Sequence, residues 1–225
     1  LVFLSGIPSF VALFFFVSKK ATPGAIDNLT AVAPCMCIAK ILGEWKQKYP
    51  DRYPKNTEVQ IAIVGCEEIG LRGSEAFAKR HAEEYNKIDT TVVNLESLTE
   101  SGYQGIFTKE NTTGTVLSPE VYNLLAKSCE DLGIEYKLEE MPSISGGTDA
   151  AGFVRGGLKA STLIGLKYKD YLSYYHSDRD NLDVVNKERK DWEDQGDSWQ
   201  DRNVRGAMEM ALLICLKYLE KKDEE

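Results

Sequence analysis

Apolar residues recur along this chain with two periods. Val59, Ile61, Ile63 and Val64 form a β-branched run that predicts a buried strand over residues 57–64, ended by Gly65. A second such run predicts a strand over 90–95, with Glu96 just past its end. Further strands are expected over 102–108, 135–139 and 160–166. The helical period places Cys35, Ile38, Ile41, Leu42 and Trp45 on one face of a helix over 31–49. Helices are also expected over 74–85, over 118–132 with Ser118 as cap and Pro119 at the first position, and over 150–155. A last helix over 200–220 buries Val204, Met208, Ala211, Leu212, Cys215, Leu216 and Leu219. Strands alternating with helices predict an α/β three-layer sandwich, a mixed, mostly parallel sheet with helices on both faces.

Residues 1–18 break this pattern. They carry no charge, include five phenylalanines, and are followed by Lys19 and Lys20. The length is near the minimum for a membrane span, and the lysines favour the cytoplasmic side. The segment is therefore expected to be a membrane segment or the remnant of one. It would leave residues 19–225 as a membrane-associated domain on the cytoplasmic side. A buried strand pair is the rival reading. The chain opens on Leu1 and is expected to be a piece of a longer protein.

Composition narrows the chemistry. The 225 residues suffice for one sizeable core. A net charge of −8 without a basic stripe argues against a nucleic-acid partner. Five cysteines at irregular spacing contain no CxxC pair, so buried reduced thiols are expected. With only His81 and His176 available, any metal site must lean on carboxylates. His81 sits among charged residues of a helix and is expected at the surface.

Carboxylates cluster where open α/β sheets place their chemistry, just beyond the ends of strands. Glu67 and Glu68 follow the first strand and Glu96 follows the second. Asp27, Asp149 and His176 fall in loops at the same rim. Adjacent glutamates also occur at 83–84, 139–140 and 224–225, where a solvated face is the ordinary explanation. Asp27 or Asn28 has an ordinary explanation too, as a helix N-cap.

Five short motifs occur in order: Gly-Ala-Ile-Asp27-Asn28, Glu67-Glu68-Ile-Gly-Leu-Arg-Gly-Ser74, Asn94-Leu-Glu96, Gly-Gly-Thr-Asp149 and Tyr175-His176-Ser-Asp178. Together they resemble the M28 family of zinc aminopeptidases, from Pro23 to the end of the chain. The resemblance implies a zinc-peptidase fold for 19–225 and peptide substrates. It implies Asp27 as a carboxylate bridging two zinc ions, with Asn28 often following in a cis peptide. Glu67 would be the general base and Glu68 and His176 ligands of one zinc. Glu96 stands where the family usually has an aspartate ligand of the other. Tyr175 would hydrogen-bond the tetrahedral intermediate, and Asp149 would face the substrate. The family's upstream His-x-Asp is absent from these residues, so one tight zinc, a poor second site and weak hydrolysis are expected. A single-zinc glutaminyl cyclase and an inactive membrane-associated interaction module are the alternatives.

Overall fold

Five strands form one mixed sheet in the structure, a computed structural model that describes residues 21–143, 145–166, 176–183 and 204–224. The strands are β1 (Thr91–Glu96), β2 (Gly105–Glu110), β3 (Thr115–Val116), β4 (Lys137–Met141) and β5 (Lys159–Ile164). β1 runs parallel to β5, and β2 parallel to β4. β2 pairs antiparallel with both β3 and β5. The helices are α1 (Thr30–Lys48), α2 (Arg72–Tyr85), α3 (Pro119–Leu132), α4 (Asp149–Arg155) and α5 (Val204–Glu224).

Two cores account for the layers. On one face, Val121 and Leu125 of α3 and Ala211 and Ile214 of α5 pack on Leu95, Ile106 and Leu163 of the sheet. On the other, Ala78 of α2 and Phe153 of α4 pack on Phe107, Ala160 and Ile164. Helices therefore cover both faces, as the alternating pattern requires. Along β2, Ile106 and Phe107 point into opposite cores, the strand period of two. Ile38 and Leu42 of α1 meet Leu219 of α5 in a third cluster. By length and composition, residues Ala25–Lys48 could also cross a membrane. Here that helix contributes to the packed core.

The α2–α4 contact is unusually close. A Cβ on Gly156 would lie 2.2 Å from the Cβ of Ala78, and one on Gly152 would lie 2.0 Å from Ser74 Oγ. The helices touch through missing side chains, which places Asp149 at the start of α4 beside the α2 end that follows Glu67-Glu68.

Three expectations are corrected. Residues 57–64 join no ladder among the described residues, and Ile63 is 63% exposed. β propensity makes a run suitable for a sheet, but a strand also needs a neighbour's N–H and C=O groups. Among the described residues this segment has none beside it. Its start is instead fixed by Asp223 of α5, whose carboxylate accepts the N–H groups of Lys55, Asn56 and Thr57 at 2.7–2.9 Å. Those amides hold Asp223 below its usual range. Ser118 precedes α3 as expected, but its Oγ accepts the N–H of Ala160 on β5 and caps nothing in the helix. Finally, the five cysteines are free but not all buried: Cys37 and Cys66 are exposed. The segment 1–18, Tyr175 and the charged stretch 187–201 lie outside the described residues.

Candidate metal centre

The rim at the carboxyl ends of β1 and β5 gathers the acidic residues. Asp27 and Asn28 lie in a tight turn, Ala25–Leu29, that leads into α1. Gly24 opens this turn with φ +64, and a Cβ there would lie 2.3 Å from the carbonyl oxygen of Asp27. Only glycine fits both demands. The Asp27–Asn28 peptide is cis.

Asp180 locks this turn. Its Oδ1 accepts the N–H of Ile26 at 2.6 Å and its Oδ2 that of Asp27 at 3.0 Å. Its own carbonyl accepts the N–H of Ala25. His176 is four residues before Asp180, so one clamp ties the Asp27 turn to the segment that carries His176. Asn28 holds the next carboxylate: its Nδ2 donates to Glu96 Oε1 at 2.7 Å, and its Oδ1 accepts the N–H of Ser97 at 3.1 Å. Asn28 is thus a bracket between the turn and the end of β1, not a helix cap.

His176 completes the first constellation. Its Nε2 lies 2.9 Å from Glu68 Oε2 and 3.8 Å from Asp27 Oδ2. Ligand atoms from Asp27, Glu68 and His176 all lie within 4.8 Å of one another. Three backbones at this rim take left-handed φ without glycine: Cys66 before Glu67, Ser97 after Glu96, and His176 itself. Such conformations cost roughly 1–3 kcal/mol each and concentrate where side chains must be aimed.

The remaining carboxylates crowd behind that trio. Burial pushes Glu67 up to about 8, reinforced by the charges of Glu68, Asp149, Asp27 and Glu110. Burial also raises Glu96 well above the carboxylate range, with Asp27 and Glu67 adding to the effect. Asp149 is raised by burial, partly opposed by Ser74. Its Oδ1 is buried without a hydrogen-bond partner among the described residues. A small cavity of about 30 Å³ is bounded by Asp27, Glu67, Glu96 and Thr148. Converging carboxylates that raise one another, one orphaned oxygen and an imidazole form a donor set suited to divalent cations. The residues present fit zinc: one place has two carboxylates and an imidazole, and a second, at the small cavity, has carboxylates but no imidazole in its wall.

Sequence reasoning named Asp27, Glu67, Glu68, Glu96, Asp149 and His176, and all six lie at this rim. His81 does not; it stacks between Phe77 and Tyr85 on α2. Two residues were missed. Asp180 follows the Tyr-His-Ser-Asp motif by two positions, and a second aspartate so close to the histidine was a usable signal. Glu110 is fully buried at the end of β2 and accepts from the N–H and hydroxyl of Thr148, at 3.1 and 2.6 Å. It fixes the residue before Asp149. Nothing local marks it, since Lys109-Glu110 at a strand end reads as surface.

A carboxylate-rich candidate metal centre lies on the rim of an α/β sandwich. The model of peptidase family M28 matches residues 16–193, and the chain belongs to that family. No curated protein matches the chain. Among solved structures it is similar to the LapA aminopeptidase of Legionella pneumophila, with TM-score 0.64 and 15% identity over 93% of this chain and 49% of that one. BSAP, a zinc aminopeptidase from Bacillus subtilis, gives TM-score 0.62 and 17% identity over 89% of this chain and 42% of that one. An aminopeptidase from Aneurinibacillus sp. strain AM-1 gives 0.60 and 20% over 89% and 40%. The chain thus spans about half the length of the structures it matches, and at these identities they speak for the fold.

Proposed function

We propose that this chain carries the metal centre of a zinc aminopeptidase that hydrolyses the N-terminal peptide bond of peptides. The observation that carries the reading is the convergence of Asp27, Glu68 and His176 with Glu67 beside them. Asp27, Glu68 and His176 would hold one zinc tightly. Glu96, with Asp27 shared, would hold a second poorly, because two carboxylates without an imidazole make a weak zinc site. When bound, zinc supplies Lewis-acid polarisation of the scissile carbonyl and acidifies water.

The protein's own groups do the rest. Glu67 takes the proton of the attacking water and delivers it to the departing amine. A carboxyl raised towards neutrality suits both halves of that transfer, since base and acid forms are each accessible. Asp149, one oxygen unsatisfied, attracts the substrate's α-ammonium and so selects peptides by their free N-terminus. Tyr175, next to His176 in sequence, is proposed to donate a hydrogen bond to the developing oxyanion.

The test uses the intact protein with zinc or cobalt and a panel of aminoacyl p-nitroanilides. Release of nitroaniline, abolished in Glu67→Gln, supports the reading. Cyclisation of an N-terminal glutamine peptide instead would assign the single-zinc cyclase. Equal behaviour of wild type and Glu67→Gln in both assays would remove Glu67 from the chemistry and leave an interaction module.

A further inference from the structure

Glu110 is a buried carboxylate that the proposed chemistry leaves unused. It stands at the end of β2, fully shielded from water. A charge in such a place is costly unless hydrogen bonds satisfy it. Thr148 supplies two of them: its N–H donates to Oε2 at 3.1 Å and its hydroxyl to Oε1 at 2.6 Å. Thr113 Oγ1 lies 3.4 Å from Oε2. The backbone before Thr148 is pressed onto the same carboxylate. A Cβ on Gly147 would lie 3.1 Å from Glu110 Oε2 and 2.6 Å from Thr113 Cγ2.

Thr148 occupies the N-cap position of α4, where a threonine hydroxyl ordinarily accepts an N–H of its own helix. Here the hydroxyl caps nothing. It lies 2.6 Å from Thr162 Oγ1 on β5, which in turn accepts from Asn94 Nδ2 of β1 at 3.3 Å. Each hydroxyl has one proton to give. With Glu110 ionised, the donors therefore all point one way, from Asn94 through Thr162 and Thr148 to Glu110. Three strands thus grip one residue of the loop, and that residue precedes Asp149. Asp149 lines a cavity of about 720 Å³ that also reaches Asp27, Glu67 and Glu68. Its Oδ1 is buried without a hydrogen-bond partner among the described residues. An acceptor left unsatisfied beside a cavity is suited to a charged donor from a ligand.

We propose that Glu110 is the positioning residue of the subsite for the substrate's free amino terminus: acting through Thr148, it sets where Asp149 meets the α-ammonium. This rests on the aminopeptidase reading of the site and adds the group that makes the site demand a free N-terminus. Glu110 acts by geometry. A binding group displaced by about 1 Å can lose about 100-fold in effect, so a support fixed by two bonds to one residue matters at the next.

The experiment titrates the zinc-loaded whole chain with L-leucinamide and with its deaminated analogue, 4-methylpentanamide, followed by NMR. The unmodified protein should bind the ammonium compound more tightly. Glu110→Ala should lower that preference by about tenfold or more. Thr148→Val keeps the N–H and loses the hydroxyl, so it should show part of the loss. Glu110→Gln should restore most of the preference, because its carbonyl oxygen accepts the N–H and its amide can donate to Thr148 Oγ1. If Glu110→Ala does not fold, Thr148→Val and Glu110→Gln decide. A lowered melting temperature with unchanged preference would mark a structural brace and overturn the proposal. Equal binding of the two amides by the unmodified protein would overturn it as well. Hydrolysis is scored apart: a protein that releases no nitroaniline, yet shows the preference and loses it in Thr148→Val, would sink the peptidase reading and leave the role of Glu110 standing.

Discussion

Asp180 holds Asp27 by the backbone, not by the side chain. Its two oxygens take the consecutive N–H groups of Ile26 and Asp27, 153 or more residues away in sequence. The carboxylate of Asp27 therefore remains turned towards Glu68 and His176. Asp180 is 3% exposed, so these bonds form away from water.

Asp180→Ala should leave two buried amides without an acceptor, at about 1–3 kcal/mol for each unsatisfied group. Asp180→Asn keeps one acceptor oxygen and should recover part of the loss. Zinc affinity should fall about 10–100-fold in the alanine variant, as when a ligand's support is removed. Thermal melts with and without zinc separate the two effects. An unchanged affinity in Asp180→Ala would show that the turn holds Asp27 unaided.

His176→Ala should abolish tight zinc binding, because no other imidazole lies at the rim. Glu67→Gln should keep the zinc and lose any hydrolysis, since it removes a base and no ligand. Calorimetric titration of the metal-free protein checks both. The unmodified chain should show about one tight zinc, from its three-ligand set, and a second that is weak. Two equally tight zincs, or unaltered binding in His176→Ala, would overturn the ligand assignment.

The metal-free protein should lose stability as pH rises. Glu67 is raised from 4.5 to about 8 in the folded state, so the fold binds a proton that the unfolded chain has released. Stability falls with pH wherever the folded state holds more protons. The fall should therefore begin near pH 4.5 and end near pH 8, with Glu96 acting in the same direction. Glu67→Gln should flatten part of the slope. Zinc reverses its sign, because ligands bind metal in their deprotonated forms. Melting temperatures in chelator and in zinc across that range are the readout.

Gly156→Ala should destabilise by about 1–3 kcal/mol, the usual cost of overfilling a packed contact. The added methyl would meet Ala78 Cβ at 2.2 Å and the carbonyl oxygen of Glu75 at 2.9 Å, and backbone cannot move aside cheaply. Gly43 is the control: a Cβ there meets nothing within 4 Å, and a helical glycine replaced by alanine should gain stability. Chemical denaturation of both variants tests the contrast.

The residues that gather at the rim were legible because each sits in a short motif at a strand end or before a helix, so local order carried the signal. Element types were legible for the same reason: α3 and β1 follow from periodicity within a dozen residues. Partnership was not legible. Residues 57–64 have the composition of a strand, yet whether a strand pairs depends on what lies beside it. Ser118 has the identity of a cap, yet its hydroxyl serves β5, 42 residues on. Glu110 looks like a surface acid, and Asp180 is marked only by its nearness to His176; the folded chain alone reveals the amides they satisfy.

The grip of Asp223 on Lys55, Asn56 and Thr57 bears on how this protein tolerates proteolysis. A protease that nibbled α5 back to Leu219 would spare Asp27, Glu68 and His176. It would still cast off the mooring of the arm that carries Glu67 and Glu68. Clipped molecules would retain every residue of the proposed metal centre while the start of that arm lost its anchor. Intact mass is therefore the measurement to pair with any assay of zinc content, since a preparation can be complete in its proposed ligands and missing its anchor.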